Sequence, residues 1–193
     1  MCNKFSEEEY NRMLEKLFVR FPSFQKVGAG AYKPGIGNME FFDQLAGHPH
    51  RQYRIIHIAG TNGKGSVSNM LTSALASQGL KVGLYTSPHI LDFRERIRIV
   101  SCHPDSSCHP DSSCHPDSSC HPDPSCHPER SEGSLATLIS KDYVWQFISR
   151  WQETFDHLDM SFFEITTAMA LCWFAEMKAD IVVLETGLGG RLD

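Results

Sequence analysis

Residues 57–66 read His-Ile-Ala-Gly-Thr-Asn-Gly-Lys-Gly-Ser, a glycine-rich turn that follows the apolar segment 53–58. The apolar segment predicts a β-strand, and the pattern from about Ser66 to Gln78 predicts an α-helix. A turn of this kind points backbone N–H groups into one concavity, and the dipole of the following helix adds positive potential there. Lys64 adds a full positive charge, and Ser66 offers a hydroxyl to a phosphate-bound Mg²⁺. The turn therefore predicts a site for the phosphates of a nucleotide.

The turn departs from the strict phosphate-loop motif, which has Gly, four residues and then Gly-Lys-Ser/Thr. Ile58 stands where the first glycine belongs, and the hydroxyl comes one place late, at Ser66. The sequence carries the variant Gly-Thr-Asn-Gly-Lys-Gly-Ser instead. The alternative interpretation is an ordinary strand-to-helix turn rich in glycine, which the Lys and Ser among the glycines disfavour.

The composition bounds the class of protein. The chain has 193 residues and a formal net charge of -5 at pH 7, which fits one or two domains and argues against nucleic-acid binding. Its longest apolar runs are too short to cross a bilayer, and residues 1–9 are polar where a signal peptide would be apolar. Five of the seven cysteines lie in one repeat. We therefore expect a reduced, cytoplasmic protein that binds no membrane.

The periodicity along the chain predicts an α/β fold, a parallel sheet flanked by helices. Beyond the glycine-rich turn, helices are predicted over 7–19 with Ser6 as cap, 38–45 with Asn38 as cap, 141–156 and 161–178, and strands over 81–85, 96–100 and 180–184. The unit over 53–85 implies a right-handed crossover between two paired parallel strands. The 96–100 strand alternates and should have one wet face. The 180–184 strand should be a buried parallel strand, and it should also leave an apolar edge of the sheet exposed.

The helix after the glycine-rich turn should turn one apolar side to the core. The residues on that side are Val67, Met70, Leu71, Ala74 and Leu75. The turn after the 81–85 strand contains Ser87, and the 180–184 strand leads to Glu185. Both residues should lie at the carboxyl edge of the sheet, where open α/β sheets bind ligands.

A six-residue repeat interrupts the chain. Ser-Cys-His-Pro-Asp-Ser occurs at 101–106, 107–112 and 113–118, and two degenerate copies follow. Proline in every unit excludes a helix or a central strand, and the low apolar content excludes a core. We predict that 101–134 is a disordered insertion in a surface loop. The alternative is a metal-binding module, although adjacent Cys and His side chains do not have the usual spacing of zinc ligands.

Four blocks of sequence, taken in chain order, carry a resemblance to a known family. They are Gly60–Ser66, Tyr85–His89 (Tyr-Thr-Ser-Pro-His), Phe93–Arg98 (Phe-Arg-Glu-Arg-Ile-Arg) and Glu185–Asp193 (Glu-Thr-Gly-Leu-Gly-Gly-Arg-Leu-Asp). Together they resemble the N-terminal part of folylpolyglutamate synthase/dihydrofolate synthase, in the Mur ligase superfamily. The resemblance covers nearly all of the chain outside the repeat. It departs from the family pattern at Arg94 and Thr186, where the family usually has Asn and Val.

The resemblance implies an ATP-dependent amide ligase with a P-loop-type ATP-binding domain of the Mur ligase kind. In such enzymes the carboxylate of dihydropteroate, or the terminal γ-carboxylate of a folate, takes the γ-phosphate of ATP. The amine of L-glutamate then attacks the acyl phosphate. Negative charge gathers on the phosphoryl group during transfer, so backbone N–H groups, Lys64 and Mg²⁺ are expected around it.

The same resemblance assigns roles to individual residues. The implied ATP-binding residues are Gly60, Thr61, Asn62, Gly63, Lys64, Gly65 and Ser66, with Lys64 also catalytic. Ser87 and Glu185 are implied Mg²⁺ ligands at the ends of two neighbouring strands, and their oxygens suit that hard cation. The implied pterin-binding residues are Ser161, Phe162, Phe163, Ala31, Tyr32, Lys33 and Leu192. The alternatives are a plain turn residue for Ser87, a surface acid for Glu185 and core packing for the phenylalanines.

The resemblance also implies parts that lie beyond this chain. Residues 1–100 and 135–193 match an N-terminal ATP-binding domain that is truncated, and the C-terminal domain that helps bind glutamate is absent. We therefore expect the 193 residues alone to be catalytically inactive. The complete protein should be a monomer that acts on ATP, L-glutamate and dihydropteroate or folate. Two other functions stay open: a Mur-type ligase acting on a cell-wall precursor, and a non-enzymatic metal-binding or interaction module built on the repeat.

Overall fold

The structure, a computed structural model, describes residues 5–20, 35–102 and 134–187. These residues form α1 (Glu7–Arg20), α2 (Gly37–Leu45), β1 (Arg54–Ile58), α3 (Lys64–Ser77), β2 (Val82–Tyr85), β3 (Ile97–Cys102), β4 (Ser134–Leu138), α4 (Lys141–His157), α5 (Phe162–Glu176) and β5 (Ile181–Glu185). Two short 3₁₀ helices, Pro49–Gln52 and Phe93–Arg96, precede β1 and β3.

The strands form one sheet in the order β1-β5-β2-β3-β4. β5 pairs in parallel with both β1 and β2, whereas β3 pairs antiparallel with β2 and with β4. Four strands therefore run in one direction and β3 runs in the other. This confirms the predicted α/β fold, and it places the carboxyl ends of β1, β5 and β2 side by side.

Two expectations about the sheet are wrong. β1 and β2 are parallel, but they do not pair, because β5 lies between them. β5 is consequently an internal strand and not an open edge. Its parallel pairing and its fully buried Val182 and Val183 confirm the predicted buried parallel strand. The sequence near β1 and β2 does not show this strand order, because the inserted strand is about a hundred residues away in sequence. A local strand–helix–strand pattern specifies the direction of its strands but not what inserts between them.

Helices cover both faces of the sheet. α3 packs on one face over a small cluster of Ala76, Val82, Leu84, Val100 and Val183. The other described helices pack on the opposite face, over a larger core that extends from α1 to α5. At Gly83 an added Cβ would lie 2.8 Å from Cδ1 of Phe174. The glycine therefore lets α5 approach β2 closely.

The buried side of α3 differs from the predicted one. Val67 and Met70 are 46% and 65% exposed, and the buried residues are Ser68, Thr72 and Ala76. These small side chains recur every four residues, so the helix lies close to the sheet along them. Leu71 and Leu75 pack at the flank. The hydrophobic pattern predicted the wrong buried face of α3, because the helix packs so closely on the sheet that only small side chains fit between them.

Helix starts were predicted with mixed success. The N–H of Glu9 donates to Oγ of Ser6 at 3.2 Å, as the capping pattern predicted for α1. Asn38 does not cap α2, because the helix begins one residue earlier and its N-cap, Ile36, makes no side-chain hydrogen bond. α3 begins at Lys64, two residues before the predicted start.

β3 and β4 form an antiparallel hairpin, and β4 was not predicted. β3 extends to Cys102 and β4 begins at Ser134, which is its register partner. The predicted insertion over 101–134 is therefore wrong at its ends, where the residues belong to paired strands. Residues 103–133, which carry most of the repeat, lie outside the described residues.

Among the described residues, no helix has the length and apolarity needed to cross a membrane.

Candidate nucleotide and metal site

The glycine-rich turn connects β1 to α3 at the carboxyl edge of the sheet. Gly63 adopts a left-handed φ of 78° immediately before the helix, a conformation that strains residues with a side chain. The first helical hydrogen bond runs from the N–H of Val67 to the carbonyl of Gly63 at 2.9 Å. The three preceding amides, at 64–66, point out of the helix end as an α-helix dictates. Thr61, Asn62, Gly63 and Ser66 are exposed, so the concavity is open to a ligand.

Lys64 folds back over the turn. Its Nζ donates to the carbonyl of Gly60 at 2.8 Å, and the side chain is half-buried. The positive charge therefore lies across the mouth of the turn. A phosphate bound to the turn would meet the ammonium and the helix N-terminus together.

Glu185 ends β5 beside the first turn of α3. The residue is 5% exposed, and its Oε2 accepts a hydrogen bond from the N–H of Ser87 at 3.2 Å. A Cβ added at Gly65 would lie 3.6 Å from Oε2 and 3.9 Å from Oε1. A side chain at position 65 would therefore fit, but it would fill the space between the helix and the carboxylate. The structure thus brings together Gly65, Ser87 and Glu185 from three segments.

The electrostatics of Glu185 reflect this position. Burial raises the pKa of its carboxyl, whereas the N–H of Ser87 and the charges of Lys64 and Arg96 act to lower it. The net pKa lies above the ordinary value. A bound cation would replace water as the partner of this buried carboxylate and would hold it in the charged form.

The donor set fits Mg²⁺. Glu185 is the last residue of β5 and Ser87 lies two residues beyond the end of the neighbouring strand β2. Oγ1 of Thr186, next to Glu185, is buried without a hydrogen-bond partner among the described residues. No group of three or more His, Cys, Asp or Glu side chains suited to a metal occurs in the described part of the chain. Mg²⁺ usually takes one or two protein carboxylates and completes its shell with phosphate and water, which matches a site built on Glu185.

Arg96 is a site residue that sequence reasoning missed. It is 4% exposed, although the alternating pattern assigned it to a wet strand face. Its Nε donates to Nδ1 of His89 at 2.8 Å, and its guanidinium lies 5.2 Å from the centre of the Phe162 ring. Burial lowers the pKa of Arg96, and Tyr85 and Glu185 act to raise it. The 3₁₀ helix before β3 turns this side chain inward, and no periodic pattern shows that.

The residues predicted to bind a pterin are divided by the structure. Ser161 caps α5, and its Oγ accepts the N–H of Glu164. Phe162 is 4% exposed and packs with Phe18 and Phe93. Ala31, Tyr32, Lys33 and Leu192 lie outside the described residues.

The remaining phenylalanine, Phe163, is half-buried and packs against two neighbours. Its ring lies 5.9 Å from that of Tyr85, and a Cβ at Gly187 would lie 2.8 Å from its Cε2. These contacts hold the start of the loop that follows β5. Pterin binding by the predicted residues stays a prediction.

The known proteins reported below, to which this chain is similar, are all folylpolyglutamate or dihydrofolate synthases. No family model matches the chain. A dihydrofolate synthase/folylpolyglutamate synthase of Bacillus subtilis is 33% identical over 162 residues, which cover 83% of this chain and 31% of the relative. The chain thus spans about a third of the length of this curated relative.

Solved structures agree with this similarity. The crystal structure of a folylpolyglutamate synthase from Thermotoga maritima matches with a TM-score of 0.67 and 35% identity, over 96% of this chain and 35% of that one. A Mycobacterium tuberculosis folylpolyglutamate synthase complexed with ADP matches with a TM-score of 0.67 and 25% identity, over 96% of this chain and 34% of that one.

Proposed function

We propose that this chain is part of an ATP-dependent amide ligase, on the premise that it is related over most of its length to the folylpolyglutamate and dihydrofolate synthases. The whole protein would join L-glutamate to dihydropteroate or to a folate. The observation that carries the proposal is the meeting of Lys64, Gly65, Ser87 and Glu185 at one edge of the sheet.

The residues of the turn supply the phosphate site. The amides at 64–66 and the Lys64 ammonium face the concavity and neutralise the charge that gathers on the γ-phosphate. In the reaction, an oxygen of the substrate carboxylate bonds to the γ-phosphorus and ADP leaves. The glutamate amine then bonds to the acyl carbon, and inorganic phosphate leaves as the amine loses a proton.

Glu185 and Ser87 are proposed to hold Mg²⁺. When bound, Mg²⁺ supplies positive charge to the phosphate oxygens. Lys64 and Arg96 favour the charged carboxylate of Glu185 against the effect of burial. These two cations and the N–H of Ser87 oppose burial, which still leaves the pKa of Glu185 above its ordinary value.

The proposal is tested on the complete protein that contains this chain. Glutamate-dependent formation of ADP is measured with dihydropteroate, with a folate and with a muramyl nucleotide. The proposal is supported if the protein turns over dihydropteroate or folate and Glu185→Gln abolishes this turnover. The control Ser73→Ala, an exposed change on α3, should leave the turnover intact. Turnover with the muramyl nucleotide alone would assign the protein to the cell-wall ligases.

We further propose that the repeat is dispensable for this function. It joins the register partners Cys102 and Ser134 at the end of a hairpin, far along β3 from the carboxyl edge of β2. Replacing residues 103–133 with a short turn should leave nucleotide binding unchanged. Loss of the protein's cellular role with intact nucleotide binding would favour the metal-binding or interaction module. We also propose that the protein is cytoplasmic, which the free thiols Cys102 and Cys172 favour, and that the complete protein is a monomer. Cell fractionation and size-exclusion chromatography test these two points.

A further inference from the structure

A chain of hydrogen bonds links β3 to the first turn of α3. Nη2 of Arg98 donates to Oδ1 of Asn69 at 3.0 Å, and Nδ2 of Asn69 donates to the carbonyl of Gly65 at 2.7 Å. Gly65 is the second residue of α3, and Asn69 lies one turn further along. A side chain from the antiparallel part of the sheet thus reaches the helix that begins at the glycine-rich turn.

The bridge requires an amide at position 69. A guanidinium only donates hydrogen bonds and a backbone carbonyl only accepts them. The Asn69 amide satisfies both at once, with its oxygen toward Arg98 and its nitrogen toward Gly65. The guanidinium itself is half-buried, and its Nε is buried without a hydrogen-bond partner among the described residues. Packing therefore restrains the donor end of the bridge.

The acceptor end of the bridge is the carbonyl of Gly65, next to the carboxylate of Glu185. Gly65 is the residue whose missing Cβ leaves open the space in front of Glu185, with 3.6 Å to the nearer carboxylate oxygen. A movement of this turn would change the gap between the helix and the carboxylate. Misplacement of about 1 Å at a reacting centre can cost on the order of a hundredfold in rate.

We propose that Asn69 and Arg98 are positioning residues, which hold the first turn of α3 at the distance from Glu185 that a magnesium-bound phosphate needs. This inference rests on the proposed nucleotide-binding function and deepens it. Neither side chain touches the nucleotide in this account. They act through the Gly65 carbonyl.

If the bridge served only to stabilise the fold, its removal would lower the unfolding temperature. We expect little change instead, because polar bridges at the surface contribute little to global stability. If the bridge positions the turn, its removal should weaken nucleotide binding while the nucleotide-free fold stays as stable as before.

The test uses the complete protein that contains this chain, as the unmutated parent, and four variants of it: Asn69→Leu, Arg98→Met, the double variant, and Ser73→Leu as a matched control one turn along the exposed face. The Kd of MgATP is measured by calorimetry, and the Tm is measured without nucleotide. Each single bridge variant should bind about three- to tenfold more weakly, and the double variant should bind no more weakly than the singles. The control should bind as the parent does.

Several results would overturn the inference. Parent-like affinity in Asn69→Leu, with MgATP bound by the parent, would refute the bridge and leave the proposed function standing. Additive losses in the double variant would show that the two residues act separately. A nucleotide-free Tm lowered by more than about 5 °C in both single variants would show a structural role. No MgATP binding by the parent would refute the proposed function, and the inference with it.

Discussion

Replacing Gly65 with alanine should move stability and nucleotide binding in opposite directions. Gly65 lies within α3 and its φ is outside the left-handed region, so the helix accepts a side chain there. The new methyl carbon would lie 3.6 Å and 3.9 Å from the Glu185 oxygens, which is ordinary van der Waals contact. Alanine is favoured over glycine by up to about 1 kcal/mol inside a helix. Near the helix start we expect about 0.5 kcal/mol, or a Tm higher by roughly 1–2 °C.

The same methyl group should block the site. Mg²⁺ needs an oxygen ligand at about 2.0–2.1 Å, and carbon atoms pack no closer than about 3.5 Å to their neighbours. A methyl carbon in front of the Glu185 carboxylate therefore occupies the space that the ion and a phosphate oxygen would share. We expect MgATP to bind at least about tenfold more weakly, a loss of roughly 1.4 kcal/mol.

The assay is thermal unfolding of the parent chain and of Gly65→Ala, with and without MgATP. Ser73→Ala on the exposed side of α3 is the control, because it gains helix propensity without approaching Glu185. In the control the nucleotide should raise the Tm as it does in the parent. Undiminished stabilisation of Gly65→Ala by MgATP would refute the close approach of the helix to the carboxylate. A marked loss of stability without nucleotide would refute the backbone conformation at this position.

Three further predictions address the charge, the core and the pH dependence. Lys64→Ala should lower kcat/KM of the complete protein by more than about tenfold, at least 1.4 kcal/mol, with an unchanged Tm; a smaller loss in steady-state kinetics would remove Lys64 from the phosphate site. Gly83→Ala should destabilise the chain by about 1–3 kcal/mol, because the new Cβ would lie 2.8 Å from Phe174; denaturant unfolding measures this, and an unchanged midpoint would contradict the packing. Burial raises the pKa of Asp43, but hydrogen bonds from His48 and His50 outweigh it and hold the pKa below the usual 3.8. The stabilising contribution of Asp43 is therefore present above about pH 3.8 and lost as the pH falls through the lower folded-state pKa. The Tm difference between the parent and Asp43→Asn should consequently shrink with acidification. A difference that stays constant would refute the stabilising role of the ionised Asp43.

The elements with a strong local signal were predictable from the sequence. α1, α4, α5 and β2 fall within a residue or two of their predicted bounds. α1 and α4 have a clear helical period, α5 and β2 are continuous apolar segments, and each of the three helices begins after a serine cap. The placement of β5 between β1 and β2 was not predictable. Strand order depends on contacts between segments that are distant in sequence, and a single sequence contains no local signal for them.

The candidate site shows the same division. The location of the glycine-rich turn, Ser87 and Glu185 at the carboxyl edge was predicted because each lies at or just after the end of a strand, whereas their roles were implied by the family resemblance. Arg96 and the Asn69–Arg98 bridge were missed, since each depends on where a 3₁₀ helix or a neighbouring strand directs a side chain. The buried face of α3 was predicted wrongly for a related reason. Its small residues, and not its large apolar ones, face the sheet. Shape complementarity between α3 and the sheet decided the packing there.

The central claim is that the phosphates of a nucleotide bind where α3, β2 and β5 meet. Titration of the ¹⁵N-labelled chain with MgATP, followed by amide chemical shifts, tests it most directly. The largest shift changes should fall in Gly60–Ser66 and at Ser87 and Glu185, and Mg²⁺ chelation should reverse the changes at Ser87 and Glu185. Binding with the largest changes elsewhere, for example in the groove between α1 and α4 that Met13, Arg20 and Gln152 line, and none in Gly60–Ser66, would contradict it.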